Sequence, residues 1–381
     1  MPLTHSIAET RAWLTLVRAP SFGAAAIRRL VSEHTTACAG VAAAQRNADD
    51  AARAWLRAPD EAVLASDLAW LDDPTHHLVT LADDDYPPLL RNGQNPPAAL
   101  FVVGEPALLW SPQIAIVGAR AATLGGLDNA KAFAHAFAQR GNTVTSGLAE
   151  GIDAAAHAGA LDAGGKTIAV MGTGPDIVYP RRHVDLAQRI AENGALVTEL
   201  PPGTMARPEN FPRRNRIIAA LTLGTLVVEA SMKSGSLITA RLANEQGRDV
   251  FALPGSIHNP VARGCHKLIR DGAHLVETAE EVLEELHATG ALLADALRTR
   301  LMTEMPGATP SPPVRDDDPD YVRLLDSLDT EPAALDELAE RTGLSASSLS
   351  SMLLMLELDG IVAAESGRYA RRRRAENSPR A

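Results

Sequence analysis

The residues best equipped for chemistry sit in one short segment, Asn210-Phe211-Pro212-Arg213-Arg214-Asn215-Arg216-Ile217. Three guanidiniums and a carboxamide stand at the start of an expected helix, where unpaired N–H groups already favour anions. Phe211 adds a π-face immediately before them. Phosphate charge beside a stacking surface is what an unpaired nucleic-acid strand requires. Taken alone, the segment is equally well explained by Phe211 as a helix staple with solvated arginines.

Four other segments carry candidate groups. In Ile114-Ala115-Ile116-Val117-Gly118-Ala119-Arg120 an apolar run ends in a glycine that permits a tight turn, and Arg120 brings a planar, permanent charge. By itself this pattern equally fits an arginine paired with a carboxylate. The glycine-rich turn Ser146-Gly147-Leu148-Ala149-Glu150-Gly151 offers a phosphate cradle, with Asp153 as a helix cap and His157 one turn further on. No third ligand accompanies Asp153 and His157, so the pair reads as structural, with neither a metal site nor a catalytic one. In Val228-Glu229-Ala230-Ser231-Met232-Lys233-Ser234-Gly235-Ser236 the main-chain N–H groups of Ser234–Ser236 suit a phosphate, with Lys233 beside them. Glu229 reads as the acceptor that orients this same loop. Gly172-Thr173-Gly174 opens like a dinucleotide fingerprint, but Tyr179-Pro180 stands where its third glycine and helix belong, so no cofactor is expected.

These groups must be held by elements of two kinds. Short β-branched runs alternate with Ala-rich stretches of helical length: Ile114–Val117, Thr143–Thr145, Thr167–Met171, Ala195–Thr198, Thr225–Glu229, Asp249–Leu253 and Ala273–Val276. That alternation predicts βαβ units in a doubly wound parallel sheet of Rossmann-like type, whose ligands sit outside the strands' carboxyl ends. Residues 1–75 form a small helical domain, broken at Ala19-Pro20-Ser21-Phe22-Gly23, and the core runs over 76–290. A Pro- and Asp-rich linker covers 291–320. Residues 321–371, read as helix, helix–turn–helix and hairpin, have the order of a winged helix, with a basic disordered tail over 372–381. Its second helix, Ser345–Leu358, contains no arginine or lysine, which makes it a poor reader of a duplex.

Composition narrows the class of function. The chain has 381 residues, 46% hydrophobic and 22% charged, with a net charge of −11. No apolar stretch is long enough for a membrane span, and Glu9, Arg11 and Arg18 do not suit a signal peptide. Cys38 and Cys265, read as free buried thiols, exclude a disulfide framework and fit the cytoplasm. Acidity counts against nucleic acid only if charge is evenly spread. Between Met205 and Arg270, ten basic residues against four acidic ones leave +6.

Taken in order, Val117-Gly118-Ala119-Arg120, Ser146–Asp153 with His157, Tyr179-Pro180, Phe211–Arg216, Val228-Glu229-Ala230 with Ser234-Gly235-Ser236, and Pro254-Gly255 closely resemble the DNA-processing protein A (DprA/Smf) family over about residues 80–285. The resemblance implies a homodimeric single-stranded-DNA-binding protein, not an enzyme, that protects incoming strands in natural transformation and helps load the RecA recombinase. It places DNA binding on Gly118, Arg120, Ser146, Gly147, Phe211, Arg213, Arg214, Asn215, Arg216, Lys233, Ser234, Gly235 and Ser236. Ala119 stands where the family carries a hydroxyl residue, and His266 where it usually shows asparagine. The competing class is a nucleotide-processing phosphoribohydrolase. Its Pro-Gly-Gly-x-Gly-Thr-x-x-Glu loop is missing here, and Glu229 precedes the Ser234-Gly235-Ser236 turn instead of following it.

Overall fold

The computed structural model describes residues 5–286 continuously, and then 319–328, 333–344, 349, 352–353, 356, 362–365 and 368–371. Strands β1 (His76–Thr80) and β2 (Ala99–Gly104) precede β3 (Gln113–Val117), β4 (Thr143–Ser146), β5 (Thr167–Val170), β6 (Ala195–Thr198), β7 (Gly224–Val227), β8 (Asp249–Ala252) and β9 (His274–Leu275). They form one sheet in the order β1-β2-β6-β5-β4-β3-β7-β8-β9. All seven strands expected from the alternating pattern are present and mutually parallel. The apolar run at Ala98–Val103 becomes β2, which pairs antiparallel with β6 and with β1. The sheet is therefore mostly, not wholly, parallel.

Its strands read as continuous apolar runs because both faces are covered. Ile114 and Ile116 join one core with Phe133, Ile152, Leu226 and Phe251. Ala115 and Val117, pointing the other way, join a second core with Val170, Ile217, Ile218 and Ala243. After five N-terminal helices the chain runs through α6 (Pro88–Arg91), α7 (Leu124–Gln139), α8 (Ile152–Asp162), α9 (Val184–Asn193), α10 (Asn210–Leu221), α11 (Ser236–Glu245) and α12 (Arg263–Arg270). Connections leave β3 toward β4 on one side, and the chain returns through β7 on the other. The winding direction thus reverses at β3 and β7, which opens a crevice at their carboxyl ends.

Five short helices occupy the N-terminal region: α1 (Ile7–Arg18), α2 (Ala24–His34), α3 (Ala37–Asn47), α4 (Asp50–Arg57) and α5 (Glu61–Leu71). Ser6, Thr36, Asp49 and Asp60 cap α1, α3, α4 and α5. Their core, built on Trp13, Leu14 and Leu64, continues into Leu78 and Phe101 of the antiparallel sheet edge. Arg18 forms an ion pair with Asp67 and donates to the Pro202 carbonyl. Cys38, expected to be buried, is exposed on α3, while Cys265 is buried; both are free.

The chain divides into two compact units, Met1–Arg300 and Leu301–Ala381. In the second, a helix starts at Pro319 and runs to Ser327, β10 (Ala333–Ala334) leads into a helix over Leu335–Thr342, and Gly343 ends that helix in the left-handed region. The hairpin β11 (Val362–Glu365) and β12 (Arg368–Arg371) is antiparallel, with β12 between β10 and β11. Leu349, Leu353 and Leu356 lie in this unit's core with Leu324 and Leu338. The linker up to residue 318, most of Ser345–Leu358 and the tail 372–381 lie outside the described residues.

Candidate nucleic-acid interface

A groove of about 620 Å³ opens at the switch point. The loop after β3 supplies Gly118–Ala121, the loop after β7 supplies Ser231 and Lys233–Ser236, and α10 supplies Phe211 and Asn215. Gly118 is obligatory: a β-carbon there would meet Ile152 Cγ1 at 2.6 Å and the Glu229 carbonyl at 2.9 Å. Arg120 is exposed, and its guanidinium lies 5.8 Å from the centroid of the Phe211 ring. The ring also packs on Gly172, where a β-carbon would sit 2.9 Å from it, and Tyr179 leans against it at 5.4 Å. Phe211 is thus an aromatic wall of the groove and no staple on its own helix.

The opposite wall is the start of α11. Ser234 and Ser236 share a hydrogen bond of 2.7 Å between hydroxyls, and Asn215 donates weakly to the Gly235 carbonyl. Gly235 caps α11 without a side-chain acceptor, and among the described residues no acceptor takes its N–H. Lys233 is exposed beside it with no ion pair among the described residues. A phosphate held here would meet the free Gly235 N–H and two cations, Lys233 and Arg120; the N–H groups of Ser234 and Ser236, expected to face it too, go instead to the Ser231 carbonyl and the Ser234 hydroxyl.

Glu229 acts elsewhere than expected. Its buried carboxylate accepts from the Thr123 N–H at 2.9 Å and the Thr123 hydroxyl at 2.7 Å. Thr123 in turn caps α7 through the Gly126 N–H. The loop that Glu229 fixes is therefore the one carrying Arg120, not the Ser234–Ser236 turn.

Several expected contacts are structural instead. Ser146 is buried and donates to the Ile116 carbonyl. Gly147 is buried; its N–H goes to Asp153 and its carbonyl accepts from Arg214 at 2.5 Å. Asp153 does not cap α8, whose N-cap is Gly151; it ties the Gly147–Ala149 turn back onto the helix. Arg214 lines the groove floor and is buried there, donating also to the Val170 carbonyl, so its guanidinium joins the ends of β4 and β5 to α10. Burial lowers it to about 10, against the pull of Asp153, and it stays cationic at neutral pH. Burial pushes Asp153 up, while Arg214 and the N–H groups of Ala149 and Gly147 oppose this. His157 is buried, with Nδ1 on the Thr167 hydroxyl at 2.7 Å, and burial holds it down to about 3.

Arg213 and Arg216 pair with Glu199 rather than facing the groove, and Arg216 also donates to the Asn95 carbonyl. Consecutive helical residues diverge by about 100°, so one cluster cannot face one way. Arg214 shares its helical face with the buried Ile217, Ile218 and Leu221, three, four and seven residues on, which is the signal for its inward aim. The sequence pattern missed Tyr179, which lines the groove, and the exposed Arg181 and Arg207 on neighbouring loops. The Tyr-Pro-Arg-Arg string after β5 was the local sign of Tyr179 and Arg181, while Arg207 entered only the charge count of the basic Met205–Arg270 stretch. Among the described residues, no group of three or more His, Cys, Asp or Glu is placed to hold a metal ion. No described helix is long and apolar enough to cross a membrane.

Fold and groove together define a Rossmann-like protein whose groove at the carboxyl edge of the sheet gathers cations, a free N–H and an aromatic face. Residues 77–287 match the DNA recombination-mediator protein A family, residues 308–368 match the DprA winged helix domain, and the chain belongs to this DprA/Smf family. Protein Smf of Escherichia coli strain K12 is 45% identical over 313 residues, 82% of either chain. DNA processing protein DprA of Streptococcus pneumoniae is 45% identical over 206 residues, 54% of this chain and 73% of that one. The X-ray structure of DprA from Streptococcus pneumoniae superimposes with a TM-score of 0.66 at 34% identity, covering 72% of this chain and 97% of that one.

Proposed function

We propose that the groove binds single-stranded DNA, with Phe211 stacking a base while Arg120, Lys233 and the Gly235 N–H at the start of α11 hold phosphates. The observation that carries this reading is Phe211, fixed against Gly172 with Arg120 across its ring, beside a helix start whose N–H is free. A paired base buries its faces in the helical stack, so a stacking wall selects unpaired strands. Glu229, the carboxylate just ahead of the Ser234–Ser236 turn, is taken up by Thr123, which favours binding over catalysis. Within the family this reading makes the chain a cytoplasmic homodimer that receives strands during natural transformation, protects them and passes them to RecA.

A salt titration with matched single- and double-stranded oligonucleotides tests the core of this. Single strands bind more tightly, and log K falls with log[salt] by about 0.7 per phosphate held. Equal affinity for both forms overturns the reading. RecA loading is checked by filament nucleation with and without the protein, and dimerisation by sedimentation.

A further inference from the structure

The loops at the carboxyl edge of the sheet share a feature that the groove alone does not explain. Beyond β3, β5, β6, β7 and β8, large apolar side chains reach into solvent: Leu124, then Tyr179 and Val184 together, Met205, Met232 and Ile257. Leu124, Met205 and Ile257 are 81%, 64% and 72% exposed, values far from those of ordinary packing. Each has an exposed cation close by in sequence. Arg120 precedes Leu124, Arg181 follows Tyr179, Arg207 follows Met205, Lys233 follows Met232, and Arg263 lies past Ile257 at the start of α12. No hydrogen bond or ion pair among the described residues engages these five cations, unlike Arg213, Arg216, Arg241 and Lys267, which are held by carboxylates.

The sheet order turns this into a track. From β6 to β8 the strands run β6-β5-β4-β3-β7-β8, five spacings of ~4.8 Å, or about 24 Å across. The loops after β6 and β8 reach the groove from its two sides through Pro208 and Val261, and Met205 and Ile257 lie three and four residues before these along the chain. Alternating apolar and cationic groups along one rim suit a polymer with a face to stack and a charge per unit. At a rise of ~3.4 Å per nucleotide the rim spans about seven nucleotides, fewer when the strand is extended. A folded protein partner would meet the same apolar groups, but five unengaged cations spread along the line favour a polyanion.

We propose that a single strand leaving the groove continues along this rim in both directions, its bases over Met205 and Ile257 and its phosphates on Arg207 and Arg263. The proposal rests on the groove reading and is tested on the full chain with oligothymidylates of four and twelve nucleotides. The wild type binds the twelve-nucleotide strand more tightly than the four-nucleotide one, because the rim holds about seven nucleotides. The double variants Met205→Ser/Arg207→Ser and Ile257→Ser/Arg263→Ser each weaken the twelve-nucleotide strand about tenfold and lower its salt slope by about 0.7. Both leave the four-nucleotide strand unchanged, which also reports that the variants are folded. A wild-type chain that binds neither strand overturns the groove reading and the track with it. A chain that binds both equally, or variants that bind the long strand like wild type, overturn the track alone.

Discussion

Arg120 and Phe211 share one small arrangement but separate in what their loss should do. Arg120 contributes charge and is held in place through Thr123 and Glu229. Arg120→Ala is expected to weaken single-strand binding and flatten the salt slope by about 0.7, the share of one phosphate. Unchanged affinity and slope in the titration would remove Arg120 from the site. Phe211→Ala is expected to cost about 1–3 kcal/mol of binding with no change in salt slope, because stacking releases no counterion. Since the ring packs on Gly172 and Tyr179 and not into the core beneath α10, thermal unfolding should move little. A variant that unfolds, with no selective binding defect, would restore the staple explanation.

At the scale of elements, α10 owes its position to Arg214. Its guanidinium bridges the Gly147 and Val170 carbonyls beside Asp153, so truncation would strand a buried carboxylate and two acceptors. Arg214→Ala is therefore expected to destabilise the fold by about 3–5 kcal/mol, measured by denaturant unfolding. A loss confined to DNA binding, with stability intact, would make Arg214 a binding group instead of a structural one. Helix α8 holds the second buried group, His157. Its native pKa of about 3 lies below the ordinary value of 6.5. Between those two values the unfolded chain takes up a proton that the folded chain refuses. This contribution therefore costs stability progressively as pH falls from 6.5 toward 3 and is absent above it. His157→Gln should show a shallower loss of stability over pH 6.5 to 4 than wild type. Parallel curves for the two proteins would exclude His157 as the cause.

For the whole molecule, every residue of the proposed interface belongs to the first compact unit. The second has its own core around Leu324, Leu338 and Leu353. The segment Ser345–Leu358 carries no cation, so the winged helix is expected to serve protein contact, with Arg368 and the Arg371–Arg374 run giving weak, sequence-independent attraction to DNA. Truncation after Asp316 should keep most single-strand affinity. Complete loss on truncation, or selective binding of one duplex sequence by the isolated tail, would contradict this.

Much of the fold was legible because the physics was local. A strand buried on both faces must be apolar throughout, and its turn into a ligand-facing loop demands Gly, Ser or Pro, so β3 to β9 stand out in the sequence. The loops carrying Arg120 and Lys233 were visible for the same reason. Antiparallel pairing of β2 with β6, and the existence of β1, depend on partners distant along the chain, and no local pattern encodes them. Directions of side chains were the other loss. Arg213, Arg214 and Arg216 are neighbours in sequence, yet Glu199 and the carbonyls of Gly147 and Val170 divide them among different surroundings. The sequence by itself determined that cations and an aromatic ring gather at the carboxyl edge of a parallel sheet. Only the tertiary structure decided which of those cations are free, because a charge close to a carboxylate or beneath a helix is neutralised by groups far away in the chain.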